Sequence, residues 1–109
     1  MDQGAEDYTE QLSVDTSTEG ESAVLRVGGE LDVHTAPALT EALAAAFDGG
    51  ATAIEIDTSD LRFCDSSGIQ VLVQAREQAL ATGGRITLTG VHGPVEKVLT
   101  VTGLLDLFS

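Results

Sequence analysis

The chain has no tryptophan, one cysteine, one tyrosine and two prolines, and aromatic residues make up only 4% of it. Its core must therefore be aliphatic and rich in alanine, which a hydrophobic content of 42% allows. Cys64 stands alone, so no internal disulfide can form; that excludes a disulfide-stapled scaffold and fits a reducing compartment. No apolar run approaches the roughly 18 residues that a membrane span needs. The opening segment MDQGAEDYTE has no basic stretch followed by an apolar one, so no signal peptide is expected. Together these absences point to a cytoplasmic location.

Basic residues are also scarce: 5 Lys and Arg stand against 18 Asp and Glu, for a net charge of -13. Such a chain is repelled by phosphate backbones and by anionic lipid surfaces, so neither nucleic acid nor membrane is expected as a partner. A basic surface on a protein partner remains open, as does plain solubility. Asp2, Glu6, Asp7, Glu10, Asp15, Glu19 and Glu21 all precede the first basic residue, Arg26, so the excess belongs partly to the N-terminal segment. At 109 residues the chain suits one domain and can bury a core without metal or disulfide.

Residues 1–7 are expected to be a flexible acidic tail, and 8–109 the domain. Tyr8 to Val14 suggests an edge strand and Asp15 to Glu21 a turn. Ala23, Leu25 and Val27 alternate with Val24 and Arg26 as in a strand, ended by Gly28-Gly29, with Glu30-Leu31-Asp32 leading into a loop. Thr35-Ala36-Pro37 starts a helix with a capping hydroxyl, and Leu39, Ala42, Leu43, Ala46 and Phe47 form its apolar stripe up to Asp48-Gly49-Gly50. Ile54 and Ile56 mark a second clear strand, and Thr58 to Cys64 a loop. A helix from about Ser66 to Thr82 should bury Ile69, Leu72, Val73, Ala79 and Leu80. Arg85 to Thr89 reads as a strand, and Pro94 opens a helix with the stripe Val95, Val98, Leu99 and Thr102. Leu104 to Phe108 should pack back as a short terminal element. The order predicts a single α/β domain, a mixed, mostly parallel sheet of four to five strands packed against about three to four helices.

One segment carries chemistry: Asp57 to Ile69, where a strand ends and a helix begins. In parallel sheets, ligands and partners meet at the carboxyl ends of the strands. Asp65-Ser66-Ser67-Gly68 sits there, with two hydroxyls and a carboxylate beside a glycine that permits close backbone approach. The same residues are ordinary helix-start residues, and Ser67 with Gln70 matches a capping box. A nucleophilic Ser67 would need a base, for which only His34 and His92 are available, and the hydrolase elbow is broken by Asp65. Cys64 reads as a packing residue rather than a nucleophile. His34 and His92 lack ligand spacing, and Asp57, Asp60 and Asp65 lack the pattern of a calcium loop, so no metal is expected. No phosphate-binding glycine loop is present, and no cofactor is expected.

Three stretches in order resemble the STAS domain family, in particular the bacterial anti-sigma factor antagonists. They are Gly29-Glu30-Leu31-Asp32 with Thr35-Ala36, Ile56-Asp57 through Phe63-Cys64-Asp65-Ser66-Ser67-Gly68-Ile69, and Thr102-Gly103-Leu104-Leu105-Asp106-Leu107-Phe108. The resemblance implies a STAS-like fold and a regulator that is not an enzyme. In that family the second Ser of the motif is phosphorylated by an anti-sigma factor with serine kinase activity; the matching residue is Ser67. It further implies that the unphosphorylated form captures the anti-sigma factor and frees a sigma factor, and that a metal-dependent serine phosphatase resets the switch. Asp32, Thr35, Asp65, Ser66, Ser67 and Gly68 are the implied partner-binding residues, with Gln70, Gln74 and Gln78 as candidate contacts on the helix. Cys64 departs from the bulkier apolar residue often found before the motif. The alternatives are a STAS scaffold subunit of a larger signalling or transport complex and a small serine hydrolase.

Overall fold

The computed structural model describes residues 11–108. The elements in order are β1 (Leu12–Glu19), β2 (Ser22–Leu31), α1 (Ala36–Asp48), β3 (Ala53–Cys64), α2 (Ser66–Ala81), β4 (Arg85–Thr89), α3 (Gly93–Val101) and a 3-10 turn (Leu105–Phe108). One four-stranded sheet has the order β1-β2-β3-β4; β1 is antiparallel to β2, and the other two pairings are parallel. This is the mixed, mostly parallel α/β sheet expected from the alternation of strands and helices. The proposed tail and Tyr8 to Glu10 lie outside the described residues.

Three stretches expected as turn or loop are strand. The segment from Asp15 to Glu19, rich in Asp, Ser and Thr, continues β1, and only Gly20-Glu21 form the turn, with Gly20 at φ 61. Thr and Ser are tolerated there because β1 is an edge strand whose side chains beyond Val14 are exposed while its backbone pairs with β2. Likewise β2 runs on through Gly28-Gly29 to Leu31 and β3 through Thr58 to Cys64, the two remaining paired with register shifts after Arg26 and after Gly29. Such shifts let a strand bend without leaving its partner. Gly29, at φ +100, is required here: a side chain would run into the Gln11 carbonyl.

The core lies on one face of the sheet. Ala23, Leu25 and Val27 of β2 join Ile54 and Ile56 of β3 and Ile86 of β4 in one cluster with Leu39, Leu43, Leu72, Val95, Leu99 and Phe108. Strand alternation sends Arg26, Asp57 and Thr89 to the other, wetter face, where Arg26 Nε lies 3.9 Å from Asp57 Oδ2. On α2 the buried stripe is Gly68, Leu72, Ala75 and Ala79. Leu80, expected inside, is 52% exposed, because it lies one residue, about 100° of helix rotation, past Ala79. Thr102 also leaves the expected stripe; its hydroxyl donates to the Val98 carbonyl at 2.9 Å, closing the end of α3.

Candidate functional site

The extension of β2 and β3 beyond their ordinary length sets the position of the site. Leu31 and Cys64 end the two strands side by side, and the Asp65 amide donates to the Leu31 carbonyl at 3.1 Å. The chain then turns directly into α2. Asp65 adopts extended backbone and caps the helix: its Oδ1 accepts from the amides of Ser67 at 2.9 Å and Gly68 at 3.3 Å. This replaces the expected capping box of Ser67 and Gln70. A carboxylate already satisfies the first amides, so Ser67 is released from that duty. Its hydroxyl makes no hydrogen bond to a described residue, and the side chain is half-exposed. Ser66 is exposed.

Gly68 is buried and serves the fold. A Cβ there would sit 2.6 Å from Leu31 Cγ, 2.7 Å from its Cδ2 and 2.8 Å from Cys64 Sγ. The glycine lets the first turn of α2 rest directly on the ends of β2 and β3. Burial, and then the charge of Asp65, push the Cys64 thiol up to about 11, so it stays protonated at neutral pH.

The loop from β2 to α1 closes on itself. Buried Thr35 donates its hydroxyl to the Glu30 carbonyl at 2.8 Å and accepts from the Asp32 amide at 2.9 Å. Asp32 Oδ1 accepts from the amides of His34 at 2.9 Å and Thr35 at 3.1 Å. Burial pushes the Asp32 carboxyl up, but the Thr35 and His34 amides, the Thr35 hydroxyl and the nearby His34 ring outweigh it, leaving it below the usual 3.8. Thr35, expected as a capping hydroxyl for α1, makes no such bond. It holds the loop, and the loop presents Val33, 62% exposed.

These two segments meet. Val33, Ala36, Pro37, Ser67 and Val71 line one cleft of about 470 Å³ between α1 and α2, with Glu41 also on its wall. Val33 was not among the residues singled out in the sequence; an apolar residue between Asp32 and His34, outside every helical stripe, was the available signal. Neither histidine reaches Ser67. His92 Nε2 is 2.7 Å from the Ser59 carbonyl, and the His34 side chain is exposed in the α1 loop. Asp57 is taken by Ser59, whose hydroxyl donates to Oδ1 at 2.6 Å. Among the described residues no cluster of three or more His, Cys, Asp or Glu side chains is arranged to hold a metal ion, and no helix is long and apolar enough to cross a membrane.

Residues 14–109 match the protein family described as Mlab, STAS domain. The chain belongs to the STAS domain family. This STAS domain is 29% identical over 96 residues to an anti-sigma-B factor antagonist of Staphylococcus aureus, covering 88% of the chain and 89% of the relative. The crystal structure of an anti-sigma factor antagonist from Mycobacterium paratuberculosis superposes with a TM-score of 0.80 at 28% identity, over 91% of this chain and 84% of that one. The anti-sigma factor antagonist SpoIIAA in its unphosphorylated form gives a TM-score of 0.78 at 29% identity, over 86% and 84%. The phosphorylated form of SpoIIAA, from Bacillus, gives 0.72 at 28% identity, over 88% and 87%. The STAS fold is therefore shared along nearly the whole chain with proteins named as regulators.

Proposed function

We propose that this STAS domain is an anti-sigma factor antagonist that works in the cytoplasm and is switched at Ser67. Unphosphorylated, it captures an anti-sigma factor with serine kinase activity, and a sigma factor is freed. The kinase then transfers phosphate to Ser67. The hydroxyl oxygen bonds to the γ-phosphorus of ATP as the bond to the β-phosphate oxygen breaks; ADP leaves, and the hydroxyl proton passes to a base on the kinase. A metal-dependent serine phosphatase hydrolyses the phosphoserine and resets the switch.

The observation that carries this reading is the division of labour at the start of α2. Asp65 does the capping, and the Ser67 hydroxyl, on the wall of a cleft, bonds to no described residue. The partner surface is then Asp32, Ser66, Ser67 and the cleft, with Thr35, Asp65 and Gly68 holding it in shape. Phosphoserine adds roughly -1.5 to -2 charges. The N-terminus of α2 favours an anion by about 0.3–1 kcal/mol, so the helix tolerates the phosphate. The interface does not, because among the described residues none that lines the cleft is basic and Glu41 already lines it. A desolvated, unpaired phosphate there costs affinity, tenfold for each 1.4 kcal/mol. Hydrolysis has less support, since no described side chain is placed to take the Ser67 proton.

The test is calorimetric titration with purified anti-sigma factors of the source organism. One of them should bind the unmodified protein and bind Ser67→Asp more weakly. Equal affinity for both, with the fold intact, contradicts the switch.

A further inference from the structure

The cleft beside Ser67 continues away from it. A second depression, of about 100 Å³, follows the same two helices, shares Thr40, Val71 and Gln74 with the first, and ends at Phe47 and Gln78. The two form one seam between α1 and α2, which run side by side in the same direction. From Pro37 to Phe47 the seam is about 15 Å long at the helical rise of about 1.5 Å per residue. Three apolar anchors of a helix, at i, i+3 or i+4, and i+7, span about 10 Å by the same rise.

The seam is also nearly free of charge. The chain is 21% charged, yet among the described residues Glu41 is the one charged residue lining either depression. Its rim is Thr40, Ala44, Gln70, Gln74 and Gln78, all small or neutral. A surface of that kind is cheap to desolvate, because burying charge is what costs. A second copy of the chain is a poor occupant, since each copy carries a net -13 and two would repel.

Resting on the reading above, we propose that the α1–α2 seam is a docking groove for an amphipathic helix of the anti-sigma factor. The apolar stripe of that helix lies along the seam, with its neutral polar residues against the Thr40, Gln70, Gln74 and Gln78 side chains. Ser67 stands at one end of the groove, so its phosphorylation acts on the end of an extended contact rather than on the whole of it.

The decisive variant lies far from Ser67. Ala44 is exposed and about 12 Å along α1 from Ala36. In titrations with the anti-sigma factor, Ala44→Trp should weaken binding at least tenfold. Ala45→Trp, on the same helix but outside the seam, should leave affinity unchanged. Gln78→Arg, which puts a charge into the uncharged far end of the seam, should weaken binding severalfold and guards against misfolding of the Trp variant. Hydrogen exchange on the anti-sigma factor should show protection in one amphipathic helix. If the wild type binds and Ser67→Asp weakens it while Ala44→Trp and Gln78→Arg do not, the groove is wrong and the switch stands. If no anti-sigma factor binds the wild type, the functional reading falls and the groove with it. Protection of a loop in place of a helix, or a sedimenting dimer that Ala44→Trp dissolves, would also overturn the proposal.

Discussion

Gly68→Ala adds a single carbon where the first turn of α2 meets the ends of β2 and β3. The added Cβ would stand 2.6 Å from Leu31 Cγ and 2.8 Å from Cys64 Sγ. Both neighbours are buried, at 1% and 5% exposure, so neither can swing into solvent. The clash with Leu31 reaches Cγ, close to the backbone, so rotating the outer methyls does not relieve it. Overpacking of this kind costs about 1–3 kcal/mol. Alanine recovers up to about 1 kcal/mol through its helix propensity. The net loss then spans about 0–3 kcal/mol and centres on about 1–2 kcal/mol, and at about 4–8 °C per kcal/mol that centre lowers the melting temperature by roughly 4–16 °C. Urea unfolding should show a lower midpoint with an unchanged slope. A cycle with Leu31→Ala checks the cause: the double variant should be less destabilised than the two single losses added together. An unchanged or higher midpoint for Gly68→Ala, or strict additivity with Leu31→Ala, would refute this reasoning.

Asp65→Ala should lower stability by about 0.5–2 kcal/mol and Asp65→Asn by much less, because Asn also accepts from the first amides of a helix; urea midpoints compare them. The Asp57 carboxyl is held below its ordinary 3.8 first by the Ser59 hydroxyl, then by the Ser59 amide and Arg26. A folded value below the unfolded one means its stabilisation is complete above 3.8 and disappears as pH falls through the folded value. Asp57→Asn should therefore flatten the acid side of a stability-versus-pH curve below about pH 4, with little change in shape above it. Cys64, buried and with its thiol near 11, should react with iodoacetamide at pH 8 only as fast as the protein opens, and promptly in urea. Prompt alkylation of the folded protein would show that Cys64 is reachable.

Alternation and helical spacing made the central strands and the three helices of the described residues legible. Ala23-Leu25-Val27, Ile54-Ile56 and Leu39-Leu43-Ala46 were found where burial now places them. The strand extensions were hidden for a physical reason. Asp15 to Glu19 and Thr58 to Cys64 are written in polar, turn-forming residues, but their backbones pair with a neighbour that no local pattern reveals. Leu80 was misplaced because apolar character alone does not separate residues 100° apart on a helix. At the site, the motif singled out Asp65, Ser66, Ser67 and Gly68, while what Asp65 and Gly68 do for the fold is visible only in the structure. The sequence matched a capping box of Ser67 and Gln70, and the geometry gives the cap to Asp65 instead. Val33 and the seam needed the tertiary structure, because they arise from two segments that β3 separates in the chain.

Phosphate mapping on the purified protein tests the central claim most directly. Incubation with ATP and the anti-sigma kinase should place one phosphate on Ser67. That phosphate should persist in Ser66→Ala and be lost in Ser67→Ala, and the phosphorylated protein should bind the kinase at least tenfold more weakly. Full incorporation into folded Ser67→Ala, or undiminished binding after phosphorylation at Ser67, would contradict it.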